Sequence, residues 1–542
     1  MDSVTRRYNR FIIDSPSHPQ YHQPKIENNA STSEHILIRS KLMKSQIILF
    51  CLVTSALAYE PTWESLDTRP LPQWYNDAKI GIFIHWGVFS VPSFKSEWFW
   101  YNWKKGQHKH HQQEYIDFVD KTEKPGFAYA DYAHRFDAVF YDPDDWAETF
   151  AQSGAQYVVL TSKHHEGFCN WDSRHIGTTW NWNSMDVGPR RDLVGELATA
   201  IRKPQVKSPQ TNKRLKFGVY HSLLEWFNPL YLQDVENNMT SQVFTDMKTM
   251  PELYNLVEAY KPEIIWSDGD WGANSDYWKS KEFLAWLATN SSVKDTVVWN
   301  DRWGKDSNCK HGSFLNCHDR YLPNSTVHHK WENCLTIDKH SWGWNRKSKL
   351  SDYKTTKELI NELVTTVSRN GNMLINVGPA ADGTISPIFV DRLLGLGDWL
   401  KVNGQAIYNS LPWKVCDQDL NNRRVYYTRD DRLLYAHLTH WPLDNEVVLN
   451  CPQFSNSTKA FVLGMEFSGG ESSTSKNVSI KDNYDNAHLL KIERREGGGG
   501  GGAVIHLPDV TPSSIPCEHV WVIAMTDIEN LDDANLIESH ID

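Results

Sequence analysis

The chain has 542 residues and a mass of 62.7 kDa, a length that allows roughly two to four domains. Hydrophobic residues make up 40% and charged residues 23%, which excludes a largely disordered chain. The net charge of -11 excludes a general electrostatic footprint for nucleic acid, so no nucleic-acid partner is expected. The 24 Trp residues point either to a Trp-rich core or to flat apolar faces that stack on ligands such as sugars.

Residues 1–42 are polar, carry Pro16, Pro19 and Pro24, and lack a periodic pattern; they read as a non-structural extension. Residues 46–58 (QIILFCLVTSALA) form a short apolar stretch with Arg39, Lys41 and Lys44 before it and Ala56-Leu57-Ala58 at its end. Residues 43–58 are therefore expected to be a signal peptide, with Met43 as working start and a mature chain from about Tyr59. A signal anchor would need a longer apolar core, and no other stretch reaches the roughly 18 apolar residues of a membrane span.

Residues 59–408 alternate between strand and helix. Strands are predicted at Ile80–Trp86, Tyr157–Ser162, Lys216–His221, Glu263–Asp268, Thr296–Asn300, Lys330–Cys334 and Asn372–Val377. Helices are predicted at Asp144–Ser153, Met250–Tyr260, Thr355–Ser368 and Pro387–Val402. Continuous apolar strands between helices imply a buried parallel sheet, and the number of units fits a (β/α)8-like barrel with one degenerate unit. A doubly wound fold would want a glycine-rich nucleotide loop, which is absent. Residues 409–527 change character: Val425–Tyr427, Leu433–Leu438, Glu446–Leu449 and Ala460–Leu463 are short strands between turns, expected to form a C-terminal antiparallel β-sandwich. Gly497–Gly502 reads as a flexible loop and residues 528–542 as a loose acidic tail.

Outside the apolar leader the cysteines are odd in number, so at least one thiol is unpaired within the chain; Cys309 and Cys317 are close enough to staple a loop. No CxxC spacing suggests structural zinc. Sequons at Asn238, Asn290, Asn324, Asn456 and Asn477 fit a glycosylated, exported protein.

In a parallel barrel, chemistry gathers at the C-terminal ends of the strands. Those ends carry His85-Trp86, Lys163-His164-His165-Glu166, Tyr220-His221, Trp266-Ser267-Asp268, Asn300-Asp301-Arg302 and, within the sixth strand, Trp331-Glu332. Two carboxylates across an aromatic-lined pocket are the apparatus of glycoside hydrolysis. Neither G-x-S-x-G nor HExxH is present. Other readings stay open. His164 and His165 would chelate one metal only if the strand breaks between them, and otherwise are structural or contact substrate hydroxyls. Asp268 could cap a helix, Asp301 and Arg302 could pair with each other, and Glu332 could be a satisfied structural carboxylate. The QHKHH segment around His108, His110 and His111 reads as a solvated loop.

The motifs KIGIFIHWGVFSVP (79–92), SEWFW (96–100), KHHEGF (163–168), WNSMDVGPRRDL (182–193), GVYHSLLEWF (218–227), WSDGDW (266–271), NDRWG (300–304), HKWENC (329–334) and NVGPAADG (376–383) resemble α-L-fucosidases of glycoside hydrolase family 29, of the animal lysosomal or secreted type. The resemblance runs in unbroken order over about residues 60–525. It implies a (β/α)8-like catalytic domain with a β-sandwich, retaining hydrolysis of terminal α-L-fucose, and no metal or cofactor. It implies fucosylated glycans, glycoproteins or glycolipids as substrates and leaves a homo-oligomer open. Matched motif by motif, Asp268 is the nucleophile and Glu332 the acid/base. His85, Glu97, Trp98, His164, His165, Tyr220, Trp266 and Arg302 bind the sugar, and Phe83 contributes to the pocket for its methyl group. In NCHDRY, His318 stands where some relatives carry a carboxylate.

Overall fold

The computed structural model describes residues 58–106, 109–465, 489–495, 502–511 and 514–532. The expectations for residues 1–57, His108, Asn477, most of the glycine run and the end of the acidic tail lie outside them.

Seven parallel strands form one sheet: β1 Ile80–Ile84, β2 Tyr157–Lys163, β3 Lys216–Ser222, β4 Ile264–Asp268, β5 Val298–Trp299, β6 Trp331–Thr336 and β7 Gly371–Val377. Their order is β5-β4-β3-β2-β1-β7-β6. Alternate residues serve two cores. Phe83, Val159, Tyr220, Ile264, Trp266 and Leu374 pack together on one side of the sheet, while Ile82, Ile84, Val158, Leu160, Val219 and Ile375 join a second core with the helices. Burial on both faces is why these strands read as unbroken apolar runs. Gly81 pairs with Tyr157, and a Cβ at position 81 would collide with that tyrosine's ring. The missing side chain leaves room for the ring.

The sheet edges β5 and β6 meet through a short segment, not a full strand. Ser313 N–H donates to Trp299 O (2.9 Å) and Leu315 N–H to Lys330 O (2.9 Å); Leu315 O accepts from Glu332 N–H (2.8 Å). Leu315 bridges Trp331 in parallel. Residues 313–315 thus occupy the eighth position of the barrel, the degenerate unit expected from the sequence.

Helices α1 Pro143–Gln152, α2 Leu193–Ile201, α3 Met250–Tyr260, α4 Thr356–Ser368 and α5 Pro387–Asn403 fall within a residue or two of expectation where one was made. Their starts have local causes. Asp142 accepts from the N–H groups of Asp144 and Asp145 ahead of Pro143, and Thr355 and Glu358 form a reciprocal capping box. The segment expected to be a solvated histidine loop is instead helical over Lys109–Thr122. No helix among the described residues is long and apolar enough to cross a membrane.

Eight antiparallel strands follow: β8 Leu411–Pro412, β9 Val425–Arg429, β10 Leu433–Leu438, β11 Glu446–Leu449, β12 Ala460–Val462, β13 Lys491–Arg494, β14 Ala503–His506 and β15 Trp521–Thr526. They form sheets ordered β12-β15-β10-β9-β8 and β11-β14-β13. Tyr427, Leu434 and Ile523 from one sheet meet Val447, Leu449 and Ile505 from the other in a shared core. The opposite face of the larger sheet offers Tyr435, Phe461 and Val522 to the core that contains α5. Cys309–Cys317 and Cys416–Cys451 are disulfides; Cys169, Cys334 and Cys517 are free.

Trp399 on α5 is 3% exposed, and its indole N–H donates to Val520 O at 2.7 Å, which ties barrel to sandwich. Trp399→Ala should cost about 3–5 kcal/mol. Calorimetry should show a lower first transition, with the sandwich signal separating from that of the barrel.

Candidate active site

One cavity opens at the C-terminal ends of the strands. His85, Glu97, Trp98, His164, His165, Tyr220, Trp266, Asp268 and Arg302 all line it, with Phe83, Trp271, Asp319 and Trp342. Every expected site residue is there except Glu332.

Local backbone geometry explains how adjacent histidines share one cavity. The β2–β3 register shifts between Thr161 and Lys163, so alternation fails just before His164 and His165. Their rings lie 4.2 Å apart. Alternation does hold in β3. Tyr220 faces the cavity, whereas His221 points away and meets Glu252 Oε2 at 3.1 Å. Glu252 belongs to a buried ion cluster beside the histidines. Lys163 reaches Glu252 (2.6 Å) and Glu225 (3.0 Å), and Lys248 reaches the same two carboxylates at 3.0 and 3.1 Å. Two cations against two anions make the cluster neutral, which is what lets it be buried.

Three polar side chains of the cavity, His85, His165 and Glu97, are each held by a second group. His85 Nδ1 lies 2.7 Å from Asn376 Oδ1, while the Asn376 amide N–H2 donates to Trp342 O. This assignment makes His85 Nδ1 the donor and leaves Nε2 as an acceptor toward the cavity. Burial, with His164 nearby, lowers the His85 pKa to about 3, so the ring is neutral. His165 Nδ1 meets Ser222 Oγ at 2.6 Å, and Ser222 donates onward to Leu224 O. Burial and the neighbouring His164 hold His165 well below the ordinary histidine value. Its Nε2 lone pair then faces Asp268 Oδ2 at 3.5 Å. Two acceptors facing each other leave a place for a ligand hydroxyl that donates. Glu97 Oε2 accepts from the N–H groups of Trp342 and Gly343 at 3.0 and 3.3 Å.

Asp268 ends β4 and does not cap a helix with its side chain. Its Oδ2 accepts from Tyr220 O–H at 2.7 Å and its Oδ1 from Arg302 Nη1 at 3.2 Å. Arg302 uses Nη2 to hold Asp319 Oδ1 at 2.7 Å, and its guanidinium lies 4.7 Å from the Trp266 ring centroid. One guanidinium therefore grips two carboxylates at the same cavity. The two differ in environment: the Asp268 side chain is 12% exposed and that of Asp319 43%. Burial pushes the Asp319 pKa up, but Arg302 outweighs it and holds the carboxyl below its usual range. Asp270 is pushed up to about 7 by burial and then by the charge of Asp268.

Glu332 does not line the cavity. β6 begins at Trp331 and ends at Thr336, so Glu332 is its second residue, at the end of the barrel opposite the cavity. It is 0% exposed. Its Oε2 accepts from Tyr75 and Tyr157 hydroxyls at 2.7 and 2.8 Å, and its Oε1 from Trp266 Nε1 at 2.9 Å and Asn316 Nδ2 at 3.3 Å. Four donors fill its acceptor sites and leave none for a ligand. Desolvation raises its pKa.

A further carboxylate at the cavity, not among the residues expected from the sequence, is Asp319, next to His318. A signal was present: Asp319 follows the disulfide-stapled loop after β5, on the face where barrel chemistry gathers. Asp301 does not pair with Arg302. It accepts from the N–H groups of Cys309 (2.9 Å), Asn316 (3.0 Å) and Cys317 (3.0 Å), and so anchors that loop. Among the described residues no group of three or more His, Cys, Asp or Glu is arranged to hold a metal ion.

Residues 47–405 match the family model for α-L-fucosidase and residues 417–526 that for the α-L-fucosidase C-terminal domain. Tissue α-L-fucosidase of Rattus norvegicus is 46% identical over 488 residues, 89% of this chain and 97% of the relative. An α-L-fucosidase of Branchiostoma floridae is 48% identical over 468 residues, 86% of this chain and 95% of the relative. Among solved structures, Thermotoga maritima α-fucosidase in complex with fucose has a TM-score of 0.66 at 29% identity and covers 86% of this chain and 100% of its own. The family models match most of the chain, and these relatives are covered over nearly all of their own length: the chain belongs to the α-L-fucosidase family of glycoside hydrolases.

Proposed function

We propose that the protein is a retaining exo-α-L-fucosidase that removes terminal fucose from glycans, glycoproteins or glycolipids through a fucosyl-enzyme ester. The observation that carries this reading is the Arg302 grip on two carboxylates of unequal exposure. The buried Asp268, fixed by Tyr220 and Arg302, suits a nucleophile under the sugar ring. The half-exposed Asp319 suits an acid/base at the mouth, where the leaving group departs and protons exchange with water. Asp268 attacks the anomeric carbon as the glycosidic bond breaks, and Asp319 gives its proton to the leaving oxygen. Asp319 then takes a proton from the water that attacks the ester, and Asp268 leaves as the carboxylate. Neutral His85 and His165, together with Glu97 and His164, supply hydrogen-bond partners for the ring hydroxyls. Phe83, 5.0 Å from Trp266, offers an apolar wall for the methyl group. A site built on such partners rejects sugars that leave them unpaired. The apolar segment at 46–58 and the exposed sequon residues Asn238, Asn290, Asn324 and Asn456 support a lysosomal or secreted enzyme.

Asp268→Gly should abolish turnover, by about 10⁴-fold or more, in a folded protein. Azide should partly restore it and give the inverted fucosyl azide by NMR. Retaining turnover without azide would assign the nucleophile elsewhere.

Asp319→Ala and Glu332→Gln separate the two candidate acids. Asp319→Ala should lose about 10²–10⁴-fold on fucosides with alkoxide leaving groups, yet nearly spare the first step on nitrophenyl fucoside. Azide should accelerate that variant and give the retained azide. Glu332→Gln should lose activity on both substrate types without azide rescue, with stability lowered by about 1–3 kcal/mol from donors left unmatched. The opposite pattern would return the role to Glu332.

The pH profile follows from the sign of the Asp319 shift. A general acid must be protonated, and a lowered pKa is protonated only at acid pH, so kcat/KM should fall as pH rises through it. That alkaline limb should appear with alkyl fucosides and be missing with nitrophenyl fucoside, whose first step needs no proton from Asp319.

A further inference from the structure

A second cavity, of about 330 Å³, lies at the opposite end of the barrel. Its walls come from the N-terminal ends of the strands. Lys330 immediately precedes β6, Asn370 immediately precedes β7, and Asn76 lies ahead of β1. Arg69, His328, His329 and Lys330 give it a basic lining; the acidic residue there is Asp67. Asp67 already has a partner, His311 Nδ1 at 2.7 Å.

Lys330 is the informative residue. It is 6% exposed, and its amine N–H donates to Asn76 Oδ1 at 3.2 Å, an uncharged acceptor. Among the described residues neither Lys330 nor the buried Lys79, which precedes β1, forms an ion pair; the two amines hydrogen-bond each other, Asp77 acts on both from beyond ion-pair distance, and Glu332 acts likewise on Lys330. Burial lowers Lys79 to about 8. It holds Lys330 well below the usual lysine range, with Lys79 adding to the effect. Buried lysines are normally paired, because desolvating an ammonium without a counter-charge is costly. Here no carboxylate comes within ion-pair distance of Lys330, and a basic cavity adjoins the amine. Elsewhere in the same molecule, Lys163 and Lys248 show the ordinary solution, each against two carboxylates.

We propose that this cavity is an anion site that takes a compact oxyanion, phosphate or sulfate, free or as the ester group of a glycan. The anion supplies the negative charge and acceptor oxygens that Lys330 lacks, and the amine takes up a proton as it binds. Arg69 has one terminal nitrogen committed to Lys294 O and Val297 O and stacks on Trp299, which leaves its charge fixed at the wall. His328 and His329 stand exposed at the rim, where their ring nitrogens can reach an anion. The site is separate from the catalytic cavity, so an anion there leaves hydrolysis of a simple fucoside unaffected.

The test is titration calorimetry of the full chain at mildly acid pH with inorganic phosphate, inorganic sulfate and N-acetylglucosamine 6-sulfate. Saturable binding is expected, weakened at least about tenfold in Lys330→Met and in the doubly substituted His328→Gln/His329→Gln. Nitrophenyl fucoside turnover should match wild type in the histidine variant, which reports folding; that variant answers alone if Lys330→Met does not fold. Tighter binding of the sulfate ester than of the inorganic anions would assign the site to a glycan, and the reverse to a free anion. Absence of saturable binding in wild type, or equal binding in both variants, would overturn the proposal.

Discussion

A carboxylate buried within the barrel holds the site together. Glu332 receives hydrogen bonds from Tyr75 ahead of β1, Tyr157 on β2, Trp266 on β4 and Asn316 in the closing segment. Those groups come from separate walls, so one side chain fixes the spacing between them. The carboxyl is removed from water, and neutral donors provide most of what water would have given it. The constraint then passes outward. The indole held by Glu332 lies against the Arg302 guanidinium, and Arg302 sets Asp268 and Asp319. Geometry at the mouth is thus decided two layers below it.

The polar groups of the cavity follow a common plan. Three are oriented by a partner that is itself anchored: His85 by Asn376, His165 by Ser222, Glu97 by two backbone N–H groups. Orientation of this kind fixes tautomers as well as positions. Neutral imidazoles matter here because a ring with one donor and one acceptor can read the direction of a hydroxyl, while a cation only donates. Charge is concentrated instead on the Arg302 pairings and on the cluster of Lys163, Lys248, Glu225 and Glu252, where it is balanced.

Much of this was legible in the sequence because strands buried on both faces write themselves as apolar runs. The strands from Ile80 to Val377 could be placed, and with them His85, Tyr220, Trp266 and Asp268 at their ends. Tyr220 could be told from His221 only by alternation, which in β3 is regular. The histidine pair could not be resolved that way, since the bulge before His164 leaves no mark in composition. Glu332 misled for a related reason. An apolar-aromatic context marks burial equally at either end of a strand, and β6 runs two residues beyond Cys334. Asp319 lies in a loop whose path is set by Asp301 and a disulfide, and such long-range constraints carry no local period.

The eighth position of the barrel has a consequence for how such a molecule can vary. Between β5 and β6 the wall is a three-residue splice, 313–315, joined by a handful of backbone bonds and one bridge. The chain on either side of it, 300–312 and 316–330, carries Arg302 and Asp319, both of which line the cavity. Length changes there would disturb a splice, not a zipped ladder, and loops absorb insertions cheaply. The cavity wall that carries Arg302 and Asp319 is therefore the part most open to evolutionary revision, while the strands that carry Tyr220 and Asp268 are locked on both sides.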